Sequence, residues 1–302
     1  MDRNFIDLRQ DTWAASDDLN RQLPLNVDVK DKDRKVGIFY FMWHKGTGEL
    51  MDHSLAYAMG GIEEFEKVMQ LGRLGFSHYW AEPYFGYYRS DDEWVIRKHI
   101  YQLANAGVDF IFFDVTNGLI YEPILEVILK VWLEVRKEGY KTPEIMFNAG
   151  DNFDLASSSF SKLWTQFFNN SEYDELWLQW QDKPLFLGPR SLVNSLPDEV
   201  REKFTFRACW ANTKDDWYTS TDGKGAWAWA DMYPQKPGKS LDGDVEQMIV
   251  MCGFWVNGSY GTNAGRSYHN GKQPPNKTDG DYGFLLVDDT SPHGYAFQEQ
   301  FD

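Results

Sequence analysis

Three carboxylates in this chain stand beside runs of aromatic residues. Glu82 lies within Tyr79-Trp80-Ala81-Glu82-Pro83-Tyr84, Asp114 follows Phe110-Ile111-Phe112-Phe113, and Asp231 follows Trp227-Ala228-Trp229-Ala230. Two carboxyl groups can serve one bond as general acid and base if one stays protonated near neutrality. An apolar wall or a like-charged neighbour arranges that. Aromatic residues make up 17% of the chain, with 13 Trp and 16 Tyr. A core favours Phe and Leu, whereas Trp and Tyr suit places where one edge meets something polar. Sugar rings present flat C–H faces that stack on such side chains, and hydroxyls that need carboxylate and amide partners. The chemistry these residues suit is therefore cleavage of a glycosidic bond held between two carboxyl groups.

Such residues need strands to hold them, and the sequence alternates strand and helix signals. Val36 to Met42 is an uninterrupted apolar run of strand length, as in a parallel sheet covered on both faces. Ile62, Phe65 and Met69 fall at helical spacing, and a short strand over 76–80 follows. Ser90-Asp-Asp-Glu93 reads as a capping box ahead of Ile96, Ile100 and Leu103. Val108 to Asp114 is the clearest strand. Pro123 then opens a helix whose Ile124, Ile128, Trp132 and Val135 share a face, closed by Gly139. Further strands are expected at 144–148, 183–188, 204–210 and 226–230, with a helix marked by Phe160, Leu163, Trp164 and Phe167 between the first two. That is about seven βα units.

Trp43-His44-Lys45-Gly46, not a Gly-rich phosphate loop, follows the first strand, which favours a (β/α)8 barrel of the TIM type over a nucleotide-binding sheet. Residues 1–35 read as an N-terminal extension and 36–302 as the catalytic barrel, which this count leaves one βα unit short at Asp302.

In such barrels the site lies at the C-terminal ends of the strands. The residues there are Trp43 and His44 after the first strand, and Tyr79, Trp80, Glu82 and Tyr84 after the second. Asp114 and Asn117 follow the third, Asn148 the fourth, Trp210 the sixth, and Trp227, Trp229 and Asp231 close the seventh. Asp114 and Asp231 are the expected acid/base pair with Glu82 a third candidate, and the other residues are expected to contact substrate. Each has a bland reading: an Asp after a strand is often a helix or loop cap, and both Trp227 and Trp229 could be core.

A net charge of −16 repels phosphate backbones and anionic lipid, so neither nucleic acid nor membrane is an expected partner. No apolar stretch of about eighteen residues occurs. The polar start lacks the apolar segment of a signal peptide, although a glycan-degrading role suggests periplasmic or extracellular placement. Cys209 and Cys252 are too few for a disulfide framework, and the scattered histidines show no metal-ligand spacing, so no metal or cofactor is expected.

Val36 to His44, Pro83 to Asp92, Gly107 to Asn117, Lys183-Pro-Leu-Phe186, Gly225 to Gln235 and Gly265 to Gly271 together resemble the glycoside hydrolase 71/99-like group of bacterial proteins, relatives of endo-α-mannosidases. The resemblance implies a (β/α)8 barrel that acts on α-linked glycans without a metal, and a retaining mechanism in which a carboxylate activates the sugar's own 2-hydroxyl. The group commonly carries a Trp-Asn-Glu-Trp-like segment late in the barrel, and nothing before Asp302 matches it. Two alternatives stand beside the hydrolase: a non-catalytic carbohydrate-binding barrel and a polysaccharide-biosynthesis protein.

Overall fold

Strands and helices alternate through much of the described part of the chain. The computed structural model describes residues 34–44, 50–71, 77–211, 222–231 and 235–251, together with Ser16 and Gln22. In chain order its strands are β1 (Gly37–Tyr40), β2 (Leu50–Asp52), β3 (Ser77–Tyr79), β4 (Phe110–Asp114), β5 (Glu144–Asn148), β6 (Gln179–Trp180), β7 (Lys183–Leu187), β8 (Thr205–Ala211), β9 (Ala226–Ala230), β10 (Gly238–Lys239) and β11 (Val245–Gln247). The helices are α1 (His53–Leu71), α2 (Glu93–Asn105), α3 (Glu122–Lys137), α4 (Phe153–Leu163), α5 (Arg190–Ser195) and α6 (Asp198–Arg201). Nearly all of the 1–35 extension, Cys252 and the Gly265–Gly271 motif lie outside the described residues.

The described residues fall into two compact units. The first holds those from Arg34 to Asn148 and from Asp154 to Leu185; the second holds Ser16, Gln22, Ala149–Phe153 and those from Phe186 onward. In the first unit the sheet runs β1, β4, β5, β7. β1 is parallel to β4, with Gly37 opposite Phe110, and β4 is parallel to β5, with Asp114 opposite Asn148. In the second unit the end of β7 is followed by β8 and β9, the last two parallel. Strands thus join the sheet in chain order without reversal. A doubly wound sheet reverses at a switch point, whereas a (β/α)8 barrel of the TIM type does not, and the strand order in each unit is that of such a barrel.

One expected stave is elsewhere. The strand read over 76–80 is β3, and it pairs in parallel with β2 in a separate two-stranded ladder, so β1 lies directly beside β4. The main path among the described residues therefore has six strands where seven were counted. The expected capping box is also shifted. Asp92, not Ser90, caps α2, its side chain accepting the Val95 amide at 3.1 Å, because the Ser90 hydroxyl accepts the His44 amide instead.

Helix α3 follows its sequence signal closely. Pro123 sits in its first turn, Arg136 and Lys137 in its last, and Ile128, Leu129, Trp132 and Val135 are fully buried. The Trp132 indole N–H donates to the Pro143 carbonyl at 2.9 Å, so the ring's one polar atom is satisfied inside the core. Gly37 has no side chain for a spatial reason: a Cβ there would come within 2.1 Å of the Phe110 ring across the ladder.

In the second unit Arg207 and Glu246 form a bidentate ion pair, with Nε and Nη2 each 2.6 Å from a carboxylate oxygen, and the Trp227 indole N–H donates to the same carboxylate at 3.0 Å. Both charged side chains are buried. Removing one partner of such a pair strands the other charge without water, at a cost of about 3–5 kcal/mol. Glu246→Ala is therefore expected to lower stability by about that amount in a denaturant titration, while a double Arg207→Met, Glu246→Leu variant recovers most of it. A loss below about 1 kcal/mol in the single variant would remove the pair from the list of structural supports.

Candidate functional site

The segment that follows β3 is built as a closed aromatic turn. Tyr79, buried at the end of β3, donates its hydroxyl proton to the Tyr88 carbonyl, tying the strand to the far side of the turn. Inside that closure the Gly86 amide donates to the Pro83 carbonyl at 2.8 Å. Gly86 has φ 72, a left-handed conformation that suits glycine. This geometry leaves Tyr84 at the tip 94% exposed and Trp80 63% exposed, with Glu82 exposed between them.

Two carboxylate and imidazole groups brace the turn from beneath. Tyr87 donates its hydroxyl to Asp52 Oδ2 at 2.6 Å, while Asp52 Oδ1 accepts the Ser54 hydroxyl at 2.7 Å and the Leu55 amide at 2.8 Å. Asp52 thus caps the start of α1 with one oxygen and holds the turn with the other. The Tyr87 bond, then the Leu55 amide, hold the Asp52 carboxyl below its ordinary range, against burial, which works the other way. The same bond pushes the Tyr87 phenol up to about 12. His44 packs its ring face to face on Tyr79, centroids 4.2 Å apart; its amide donates to the Ser90 hydroxyl and its carbonyl accepts the Ser90 amide. Its Nε2–H donates to the His78 carbonyl at 3.0 Å, so Nδ1 carries the lone pair in the neutral ring. Burial holds the His44 imidazole below its ordinary range, against the His78 carbonyl, so the ring is neutral at physiological pH.

The structure therefore brings His44, Tyr79 and Trp80 into one neighbourhood with Asp52, Tyr87 and Ser90, none of which the sequence singled out as site residues. Asp52 had a readable signal, an Asp two residues before Ser54 and three before the helical Leu55, but its partner Tyr87 lies 35 residues away. Trp43 is half exposed, its ring edge-on to Phe41 at 4.8 Å.

A second group in the same unit sits at the ends of β4 and β5. Asp114 and Asn148 are register partners, so their side chains leave the same face of the sheet side by side. Asp114 is partly exposed and its Oδ1 accepts the Thr116 amide at 2.9 Å. Asn148 is fully buried. Asn117 serves its own loop, Oδ1 accepting the Leu119 amide at 3.1 Å and Nδ2 donating to the Tyr121 hydroxyl at 3.0 Å.

The remaining candidates belong to the second unit. Trp210 pairs through its backbone with Ala228. Trp227 is buried and Trp229 partly exposed. Asp231 has no exposed surface, and its Oδ2 accepts the Lys236 amide at 2.8 Å. Asp114 and Asp231 thus belong to different units, each at the C-terminal end of its strand. Among the described residues no group of three or more His, Cys, Asp or Glu could hold a metal ion, and no helix is long and apolar enough to cross a membrane.

No family model matches the chain, and no curated protein matches it. Among solved structures it is similar to the GH99 endo-alpha-mannosidase from Bacteriodes thetaiotaomicron in complex with BIS-TRIS-Propane, at 15% identity with a TM-score of 0.38. The match covers 66% of this chain and 58% of that one, so this chain spans less than two thirds of the length of the protein it matches.

The Asp52–Tyr87 bond gives a titration that can be checked. A carboxyl held below its ordinary pKa contributes stability that is present above about pH 4 and lost as pH falls through the lowered folded value. Tyr87→Phe removes the largest cause of that lowering. The Asp52 midpoint, followed by carboxyl-carbon NMR, is expected to rise toward its ordinary value, and acid destabilisation to begin at a higher pH. An unmoved midpoint would mean that the phenol does not hold the carboxylate.

Proposed function

We propose that this protein is a carbohydrate-active hydrolase that cleaves glycosidic bonds in a poly- or oligosaccharide by carboxylate acid/base catalysis. The observation that carries the proposal is the exposed pair Trp80 and Tyr84 flanking Glu82 on a turn clamped at both ends. Two rings held at fixed positions by their backbone lose little freedom when a sugar stacks on them, and the adjacent carboxylate accepts hydroxyl protons. His44 contributes a neutral imidazole whose other nitrogen is already committed, which orients its Nδ1 as an acceptor. In this reading the carboxyl groups assigned to catalysis are Glu82 and Asp114 in the first unit, with Asp231 a separate candidate in the second. Trp43 and Asn117 join Trp80 and Tyr84 as substrate contacts in the first unit, while Trp229 is the partly exposed aromatic candidate of the second.

A non-catalytic carbohydrate-binding protein is the second reading. Asp114 and Asp231 each accept a backbone amide of their own loop, which is what a loop cap does and a catalyst need not do. The two readings share the aromatic turn and part at the carboxylates.

The test uses both. Trp80→Ala and Tyr84→Ala are each expected to weaken binding to a responsive oligosaccharide by about tenfold, equivalent to about 1.4 kcal/mol, in isothermal titration across a glycan panel. Asp114→Asn, Asp231→Asn and Glu82→Gln, examined one at a time, are expected to lower turnover by about 10²–10⁴-fold where the residue is an acid or base, with an unchanged melting temperature. Retained binding without measurable release of reducing ends by the wild type would decide for the binding protein. Binding to no member of the panel would end both readings.

A further inference from the structure

We propose that His53 and His78 form an acid-sensitive latch that fastens the first part of α1 beneath Trp80 and releases it as pH falls below the ordinary imidazole range. The effect on carbohydrate binding rests on the function proposed above; the latch itself does not.

Helix α1 is broken near its middle. Gly60 (φ −147, ψ 16) and Gly61 (φ 64, ψ −151) are not helical, and Gly61 takes a conformation open chiefly to glycine. The piece before the break, His53 to Met59, is thinly packed. His53 and Ala56 are buried, while Leu55, Tyr57 and Met59 are exposed, Met59 to 77%. Among the described residues, three polar links tie it to its surroundings. The Ser54 amide donates to the Trp80 carbonyl at 2.9 Å, Asp52 caps its first turn while gripping Tyr87, and His53 Nε2 lies 2.8 Å from His78 Nδ1. The third link is the one made by imidazoles, and the closed site resists protonation of His53.

The groups that face His53 come from every element around it: Asp52 from β2, His78 from β3, Phe65 from the second part of α1, and Trp80 after β3. The Tyr87 hydroxyl is bonded to Asp52, and the His78 carbonyl carries the His44 Nε2–H. A neutral imidazole pair has two N–H protons on four nitrogens. One occupies the bridge. The other sits most cheaply on His78 Nε2, because His53 Nδ1 is buried with no hydrogen-bond partner and a bare lone pair there costs less than a stranded N–H. The only nitrogen left for a further proton is then His53 Nδ1. Filling it strands a buried donor whichever ring carries the charge, and moving a proton out of that position places N–H against N–H across the bridge. Either way the protonated pair is more stable with His53 in water. Burial and the neighbouring His78 hold the His53 imidazole below its ordinary range, with the Asp52 charge opposing them.

The sign follows from linkage. In the closed state His53 resists protonation, while in the open state it titrates at about 6.5. Opening is therefore unaffected above that pH. Below it, opening takes up one proton and becomes up to about tenfold more favourable per pH unit until the lower closed-state value is reached. Opening frees the Ser54–Trp80 bond and removes the imidazole face on which the Trp80 ring rests, at 6.2 Å between centroids.

Native-state hydrogen exchange on the whole chain tests this. The Ser54 and Leu55 amides are expected to keep a constant opening equilibrium from pH 8 to about 6.5, and to open up to about tenfold more per unit below it, after correction for intrinsic exchange rates. His53→Gln, which cannot titrate, is expected to lose that dependence. His78→Gln is the second variant should the first not fold, and the wild-type profile stands by itself. A flat wild-type profile down to pH 5, or the same acid response in His53→Gln, would overturn the latch. Glycan affinity measured over the same range is expected to fall in step with opening. If the amides respond but no glycan binds at any pH, the function proposal fails and the latch stands. If glycans bind and the amides do not respond, the reverse holds.

Discussion

The parallel pairing of β4 on both its edges is the constraint on which the first unit depends. Phe110 to Asp114 lie between β1 and β5 in unbroken register, with Ile111 and Phe113 fully buried. The Phe110 ring lies over Gly37 across the ladder, so a side chain at position 37 would require that ring to move. The ladder continues past the strand end, where the Val115 amide donates to the Asn148 carbonyl at 2.9 Å. The Ser159 hydroxyl then donates to the Val115 carbonyl at 2.8 Å from α4, and Lys162 to the Gly118 carbonyl at 3.1 Å. Asp114 is positioned by that framework before any bond of its own is counted.

The aromatic turn is held by a different means. Its backbone makes few ladder bonds, and side chains do the fastening: Tyr79 to the Tyr88 carbonyl, Tyr87 to Asp52, His44 to Ser90 and to the His78 carbonyl. Each of these bonds engages a buried or half-buried polar group that would otherwise be costly to leave unmade. The outer side chains, Trp80 and Tyr84, remain exposed. In the function proposed above, that turn carries the rings on which a sugar would stack.

In the second unit the same economy produces a buried charge pair. Arg207 on β8 and Glu246 on β11 satisfy one another in bidentate geometry, and Trp227 on β9 supplies the remaining donor. Trp227, which the sequence offered as a rim aromatic, uses its polar edge within the protein, whereas Trp229 on the same strand is partly exposed.

The elements legible in the sequence are those whose signal is local. Val108 to Asp114, the Pro123-initiated helix with Trp132 on its buried face, and the strand at 144–148 were readable because hydrophobic periodicity and capping residues act within a few positions. The candidate aromatics after β3 were readable for the same reason, as a run. Tertiary structure alone decided which strand β1 would pair with, since the 76–80 strand carries no mark that sends it to β2 rather than to the main sheet. It also decided the side-chain bonds that span the chain: His53 with His78 at a separation of 25 residues, Tyr87 with Asp52 at 35, Arg207 with Glu246 at 39. Each needs two segments brought to within about 3 Å. Residue type says that such a group will seek a partner, but only the folded chain says which partner it meets.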